Sequence, residues 1–131
     1  MADIDWGSMR VLVVDDNANF RRITRTILQA VKVKEIDEVE SADAALEHLG
    51  ETTPDMILTD WRMEGMDGLD LVRTLRARGY ATPVVMMTGY NESDFENQAR
   101  EAGVSAFMEK PVTPKGLAQA MAKALKAAEA A

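Results

Sequence analysis

Several polar residues of this chain stand directly after short apolar runs, at the points where buried strands would end. Asp15 and Asp16 follow VLVV, Asp60 follows MILT, Thr88 follows VVMM and Lys110 follows AFME. Three carboxylates gathered at one point would repel one another unless a cation joined them. Oxygen ligands without thiolate or imidazole select a hard cation, and Mg²⁺ is the common one. With a lysine and a hydroxyl beside them, such acids predict phosphoryl transfer onto an aspartate.

The elements that would position these residues are short strands alternating with helices. The apolar runs occupy residues 11–14, 56–59, 84–87 and 106–108, and a weaker run lies around residues 36–39. Runs this short and apolar are typical of strands buried on both faces of a parallel sheet. The segments between them show helical spacing, with a capping box predicted at Ser93, a stop at Gly103 and a helix start at Thr113-Pro114. The predicted fold class is therefore α/β, an open five-stranded parallel sheet with five helices on both faces.

In an open sheet of this class, ligands bind beyond the carboxyl ends of the strands. Each polar residue also has a simpler explanation, since an aspartate after a strand often caps a helix or begins a turn. A lysine before proline is often only a solvated side chain. Their joint occurrence at four strand ends favours one shared site.

The composition limits what the chain can bind. A formal net charge of -7 argues against nonspecific nucleic-acid binding, which requires a basic face. The absence of cysteine excludes disulfides and thiolate chemistry. No apolar run is long enough to cross a bilayer and the first residues lack a signal-peptide core, so a cytoplasmic location without membrane insertion is expected. The single histidine, His48, is expected to be a solvated residue of a surface helix.

Four stretches of the chain together resemble the receiver domain of two-component response regulators, in particular the stand-alone CheY-like kind. They read VLVVDD, LTDWRMEGMDG, VVMMTG and AFMEKP. The resemblance extends over about residues 9–125, so residues 1–8 are expected to be an N-terminal extension and 9–131 the receiver domain. It implies a flavodoxin-like sheet with strand order 2-1-3-4-5, a feature of such proteins that the residues alone do not establish.

The resemblance also implies a role for each site residue. Asp60 would be the phosphoacceptor, taking a phosphoryl group from a histidine kinase or a histidine phosphotransfer protein. Asp15 and Asp16 would hold Mg²⁺ together with Asp60 and the backbone carbonyl of Arg62. The chain would act as a phosphoacceptor that assists its own phosphorylation and dephosphorylation, and not as an enzyme with a separate substrate.

The remaining site residues would bind the phosphoryl group or respond to it. Thr88 and Lys110 would contact its oxygens, and the bond before Pro111 would be cis. Thr88 and Phe107 would form a switch that alters the face made by the fourth helix, fifth strand and fifth helix, where a downstream protein would bind. The protein is expected to be a monomer, with dimerisation on phosphorylation as an alternative.

Three departures from the family pattern qualify this interpretation. Phe107 lacks the hydroxyl of the tyrosine common at the switch position. Glu64 replaces a proline in the loop after Asp60, which predicts a less rigid loop. Arg62 and Tyr90 occupy positions that in the family tune the access of water to the phosphoryl group. Their size suggests slow dephosphorylation, and the alternative is that both side chains simply face solvent.

Several other functions are alternatives to a signalling switch. A phosphate sink or shuttle, or a scaffold independent of phosphorylation, would keep the same fold. A Mg²⁺-dependent phosphatase with an aspartate nucleophile normally carries a second acid two residues later, where this chain has Arg62. A flavin-binding module needs a hydroxyl- and glycine-rich phosphate loop, where this chain has Asp15 and Asp16.

Overall fold

A parallel β-sheet forms the centre of the fold. The computed structural model describes the backbone of residues 4–89 and 93–130. Its strands are β1 (Arg10–Val14), β2 (Glu35–Val39), β3 (Met56–Asp60), β4 (Val84–Thr88) and β5 (Ala106–Glu109). They are parallel and adopt the order β2-β1-β3-β4-β5. The predicted five-stranded α/β sheet and its strand order are confirmed.

Helices alternate with the strands. They are α1 (Ala18–Ala30), α2 (Ala42–Glu51), α3 (Gly68–Ala77), α4 (Ser93–Ala102) and α5 (Pro114–Ala130), with a 3-10 turn at Trp6–Ser8 before β1. The described segments contain no helix that is both long enough and apolar enough for a bilayer.

Side-chain caps fix where several helices begin. The side chains of Asn17, Ser41 and Asp67 each accept a hydrogen bond from a backbone N–H three residues later. The predicted start of α5 has the same pattern, because the Thr113 hydroxyl accepts from the Gly116 N–H at 3.0 Å. The end of α4 also falls where predicted, at Gly103, whose φ of 99° favours glycine. The capping box predicted at Ser93 depends on side chains outside the described residues.

The helices cover both faces of the sheet because successive side chains of a strand point to opposite faces. Val11 and Val13 pack on one face with buried residues of α1 and α5, such as Leu28 and Leu117. The alternate strand residues pack on the other face with α2, α3 and α4. All residues of β3 and β4 are buried, as expected of central strands covered on both sides.

The strand register brings the carboxyl ends of the strands to one edge of the sheet. Val14 pairs with Thr59, Asp60 with Met87, and Thr88 with Glu109. The residues that end or follow β1, β3, β4 and β5 therefore lie at the same level. This edge holds the polar residues that the sequence singles out.

Candidate functional site

Three carboxylates converge at the carboxyl edge of the sheet. Asp15 follows β1 directly, Asp16 is the next residue, and Asp60 is the last residue of β3. Each offers an oxygen such that all three oxygens lie within 4.8 Å of one another. Asp15 and Asp60 are buried, whereas Asp16 is exposed. The convergence predicted from the strand ends is present.

Asp15 is held by its backbone and by one of its carboxylate oxygens. Its N–H donates to the carbonyl of Val39 at 3.2 Å, and its Oδ1 accepts from the N–H of Asn17 at 2.9 Å. Its Oδ2 is buried and has no hydrogen-bond partner among the described residues. Burial raises the pKa of Asp15, and the negative charge of Asp60 raises it further.

Asp60 is paired with a lysine. The Nζ of Lys110 lies 3.2 Å from Oδ1 of Asp60. Burial raises the pKa of the Asp60 carboxyl, and the charge of Lys110 opposes that shift only in part. A single partly exposed ammonium therefore does not compensate the negative charge of this site.

The donor set fits a hard divalent cation. The cluster supplies carboxylate oxygens, one of which is buried without a partner, and it includes neither sulfur nor imidazole. Asp16 is oriented by the loop after β3, since its Oδ2 accepts from the Glu64 N–H at 3.1 Å. Asp15, Asp16 and Asp60 could hold such an ion. The family resemblance implies the backbone carbonyl of Arg62, in the same loop, as a further ligand.

Thr88 and Lys110 are brought together by the backbone of neighbouring strands. Thr88 ends β4 and its side chain is buried. The Lys110 N–H donates to the Thr88 carbonyl at 2.8 Å, so the two residues leave the sheet side by side. The peptide bond between Lys110 and Pro111 is cis.

The structure describes Phe107 and Arg62, two further residues to which the family resemblance gives a role. Phe107 is on β5 opposite Met86 and packs, partly buried, against the core that faces α2, α3 and α4. The exposed guanidinium of Arg62 lies over the Trp61 ring, 4.4 Å from its centroid. Tyr90 lies outside the described residues.

Two residues at this edge were missed by the sequence analysis. The ring centroid of Phe20 lies 3.9 Å from the Lys110 ammonium. Arg21 donates to the Asp15 carbonyl at 2.6 Å and lies 3.8 Å from Glu38 of β2. Phe20 belongs to the helical spacing of α1, but that spacing does not connect it with Lys110, and no pattern in the sequence pointed to Arg21.

Comparison with known proteins identifies the family of this chain. The response regulator receiver domain model matches residues 11–122. The chemotaxis protein CheY of Pseudomonas aeruginosa is 35% identical over 117 residues, which are 88% of this chain and 94% of that protein. Chemotaxis protein CheY-3 of Vibrio cholerae is 32% identical over 118 residues, which are 88% of this chain and 91% of that protein. A solved structure of Vibrio cholerae CheY4 has a TM-score of 0.82 at 24% identity, covers 88% of this chain and 98% of its own, and bears on the fold alone.

The chain therefore belongs to the response regulator receiver domain family. Within that family it is a receiver of the CheY-like type, as its chemotaxis relatives indicate. Receivers of this kind serve phosphorylation-dependent signalling, and they are phosphoacceptors that typically bind Mg²⁺ in an acidic pocket.

Proposed function

We propose that this protein is a signalling switch in which Asp60 accepts a phosphoryl group from a histidine kinase or a histidine phosphotransfer protein. The observation that carries the proposal is the convergence of three carboxylate oxygens within 4.8 Å of one another, with an ammonium 3.2 Å from the acceptor. An arrangement that only capped helices or began turns would not require the buried acids to share one crevice.

In the proposed transfer, a carboxylate oxygen of Asp60 attacks the phosphorus of a phosphohistidine. An O–P bond forms, the N–P bond breaks, and the leaving imidazole takes up a proton from solvent. Lys110 meets the oxygens of the phosphoryl group as a positive point charge, and Thr88 offers them a hydroxyl donor.

Asp15, Asp16, Asp60 and the carbonyl of Arg62 are the residues that would hold Mg²⁺. The ion would supply the charge neutralisation that allows an anionic phosphoryl group to approach a cluster of acids. The buried Oδ2 of Asp15, which accepts no hydrogen bond from a described residue, supports this assignment.

The output of the switch is proposed to lie on the face formed by α4, β5 and α5. Phosphorylation adds negative charge and acceptor oxygens beside Asp60, which would draw Thr88 toward the phosphoryl group. Phe107, on the strand next to β4, would respond by turning inward and change the surface offered to a partner protein. A phosphate sink or shuttle would use the same site without this output.

Two residues are proposed to prolong the phosphorylated state. Arg62 is exposed at the loop after the acceptor, where its bulk would hinder the approach of water. Tyr90, two residues after Thr88 in the sequence, is proposed to hinder water in the same way. Arg62→Ala and Tyr90→Ala are then expected to speed autodephosphorylation. Unchanged rates in both variants would remove this part of the proposal.

Intact-mass measurement after incubation with acetyl phosphate and Mg²⁺ tests the central proposal. The wild type is expected to gain the mass of one phosphoryl group, and Asp60→Asn is expected to gain none. Chelation of Mg²⁺ should suppress the gain in the wild type. A wild type that remains unmodified, or an Asp60→Asn protein that is modified to the same extent, would overturn the assignment.

A further inference from the structure

The ammonium of Lys110 lies between groups from two different elements. Its Nζ is 3.2 Å from Oδ1 of Asp60 on β3 and 3.9 Å from the centroid of the Phe20 ring on α1. This distance is within the range of a cation–π contact. We propose that Phe20 is a positioning residue of the phosphoacceptor site, whose ring holds the Lys110 ammonium beside Asp60. The inference rests on the proposed function and adds a residue to it.

The Phe20 ring is fixed by the way α1 begins. The side chain of Asn17 caps the helix by accepting a hydrogen bond from the Phe20 N–H at 3.0 Å, which sets the direction in which Phe20 leaves the first turn. The ring is partly buried and packs against the core between the sheet and α1 and α5. It is therefore held by packing on one side while it meets the ammonium on the other.

Lys110 needs such a support because its side chain is long and mobile. Its backbone is anchored by the hydrogen bond to Thr88, but the lysine side chain has four rotatable bonds and loses considerable entropy when ordered. The Lys110 side chain is 27% exposed, so its ion pair with Asp60 is partly screened by water. A second attraction from the ring would reduce the time the ammonium spends in solvent.

An aromatic face suits this task better than a second acid would. The ring attracts the ammonium through its quadrupole and adds no net negative charge to a site that already holds three carboxylates. It also accepts none of the ammonium's conventional hydrogen bonds. The N–H donors of Lys110 therefore remain available for phosphoryl oxygens.

The strength of exposed cation–π contacts sets the size of the expected effect. Phe20→Leu, which keeps an apolar side chain of similar volume, should lower the rate of phosphorylation by acetyl phosphate roughly twofold to fivefold. Phe20→Trp should keep most of the wild-type phosphorylation rate, because indole attracts cations best. Progressive fluorination of the Phe20 ring withdraws electron density from its face with little change in size, so the rate should fall step by step along the series.

Two controls separate this role from a general loss of packing. Ile27→Val removes a methyl group from α1 at a residue that packs against the same core, and it should leave the phosphorylation rate unchanged. In a Lys110→Met background, Phe20→Leu should cause no further decrease in rate. A loss in that background equal to the loss in the wild type would show that the ring acts only through packing, and would overturn the proposal.

A measurement without phosphorylation tests the contact itself. Protons next to the Lys110 ammonium should show an upfield ring-current shift in the NMR spectrum of the wild type, and Phe20→Leu should abolish it. Absence of the shift overturns the inference while leaving the proposed function intact. If the shift is present but wild-type Asp60 is never phosphorylated, the proposed function fails, and the positioning role fails with it.

Discussion

The carboxylate of Asp15 is fully buried, and its Oδ1 alone accepts a hydrogen bond from a described residue. A buried acceptor without a partner costs about 1–3 kcal/mol. Replacement by asparagine keeps the shape, removes the charge and offers N–H donors to the neighbouring acids. Without divalent ions, Asp15→Asn should therefore increase the free energy of unfolding by about 1–3 kcal/mol near neutral pH, as measured by urea denaturation.

The difference in the free energy of unfolding between Asp15→Asn and the wild type should depend on pH, because the pKa of Asp15 is raised in the folded state. A carboxyl whose pKa is raised in the folded state contributes stability that is fully present below its unfolded-state pKa and is lost as the pH rises through the folded-state pKa. The advantage of Asp15→Asn should thus be small in acid and grow toward neutral pH. An advantage that is constant across this range would show that the charge is not responsible.

Trp61 directly follows the phosphoacceptor and provides an optical signal. It is buried, and its backbone N–H donates to the Met87 carbonyl at 3.1 Å. In a Trp6→Phe background, which leaves Trp61 as the remaining tryptophan, titration with Mg²⁺ should change the fluorescence. The same titration in Asp15→Asn should give a weaker response. A flat titration in the parent protein would contradict a metal site at Asp60.

At the scale of elements, α3 packs directly on the backbone of the acceptor. A Cβ added at Gly68 would lie 2.4 Å from the Asp60 carbonyl oxygen and 3.1 Å from the Cα of Trp61. The Gly68 N–H also donates to the Trp61 carbonyl at 2.9 Å. The start of α3 therefore fixes the backbone that carries the acceptor.

Gly68→Ala should destabilise the protein by about 1–3 kcal/mol because the added methyl group overpacks this contact. It should also lower the rate of phosphorylation by acetyl phosphate, since the Asp60 backbone must move. Gly50→Ala in α2 is the matched control, because a Cβ there meets nothing within 4 Å. The control should be neutral or more stable by up to about 1 kcal/mol. Equal melting temperatures for the two variants would contradict the role given to Gly68.

Elements were easier to predict from the sequence than contacts between them. Each strand begins and ends within one residue of its predicted run. The runs of β1, β3 and β4 are the clearest, because central parallel strands must be apolar on both faces. Asp15, Asp60 and Lys110 were found because their positions depend only on where strands end.

Contacts that depend on how a helix lies on the sheet were not predicted. The helical period of the sequence predicts which face of α1 is apolar. It does not predict that the Phe20 ring contacts the Lys110 ammonium or that Arg21 donates to the Asp15 carbonyl. His48 lies on the predicted surface helix but is less solvated than expected, for the same reason. Its side chain is only 22% exposed and its Nε2 lies 3.3 Å from Asp37 Oδ2, because α2 lies against the edge strand β2.

For the whole molecule, a cation that binds only the folded state adds to stability by mass action. Mg²⁺ at 100 times its Kd should add about 2.7 kcal/mol to the free energy of unfolding and raise Tm with concentration. Asp60→Asn should reduce this gain. Glu35→Gln, at the opposite edge of the sheet, should keep it. A Tm independent of Mg²⁺ would contradict the proposed metal site.

The outer strand β2 also bears on how copies of the protein meet. Its sequence is EIDEV, and three acids in five residues line a strand that has β1 as its neighbour on one side. Arg10 lies 3.6 Å from Glu35 and 3.3 Å from Asp37, so this basic side chain reaches the acids from the inner strand β1. Two molecules that approached each other through their β2 strands would have to strip water from these charged side chains, and this desolvation cost disfavours the strand-to-strand association that leads to aggregation.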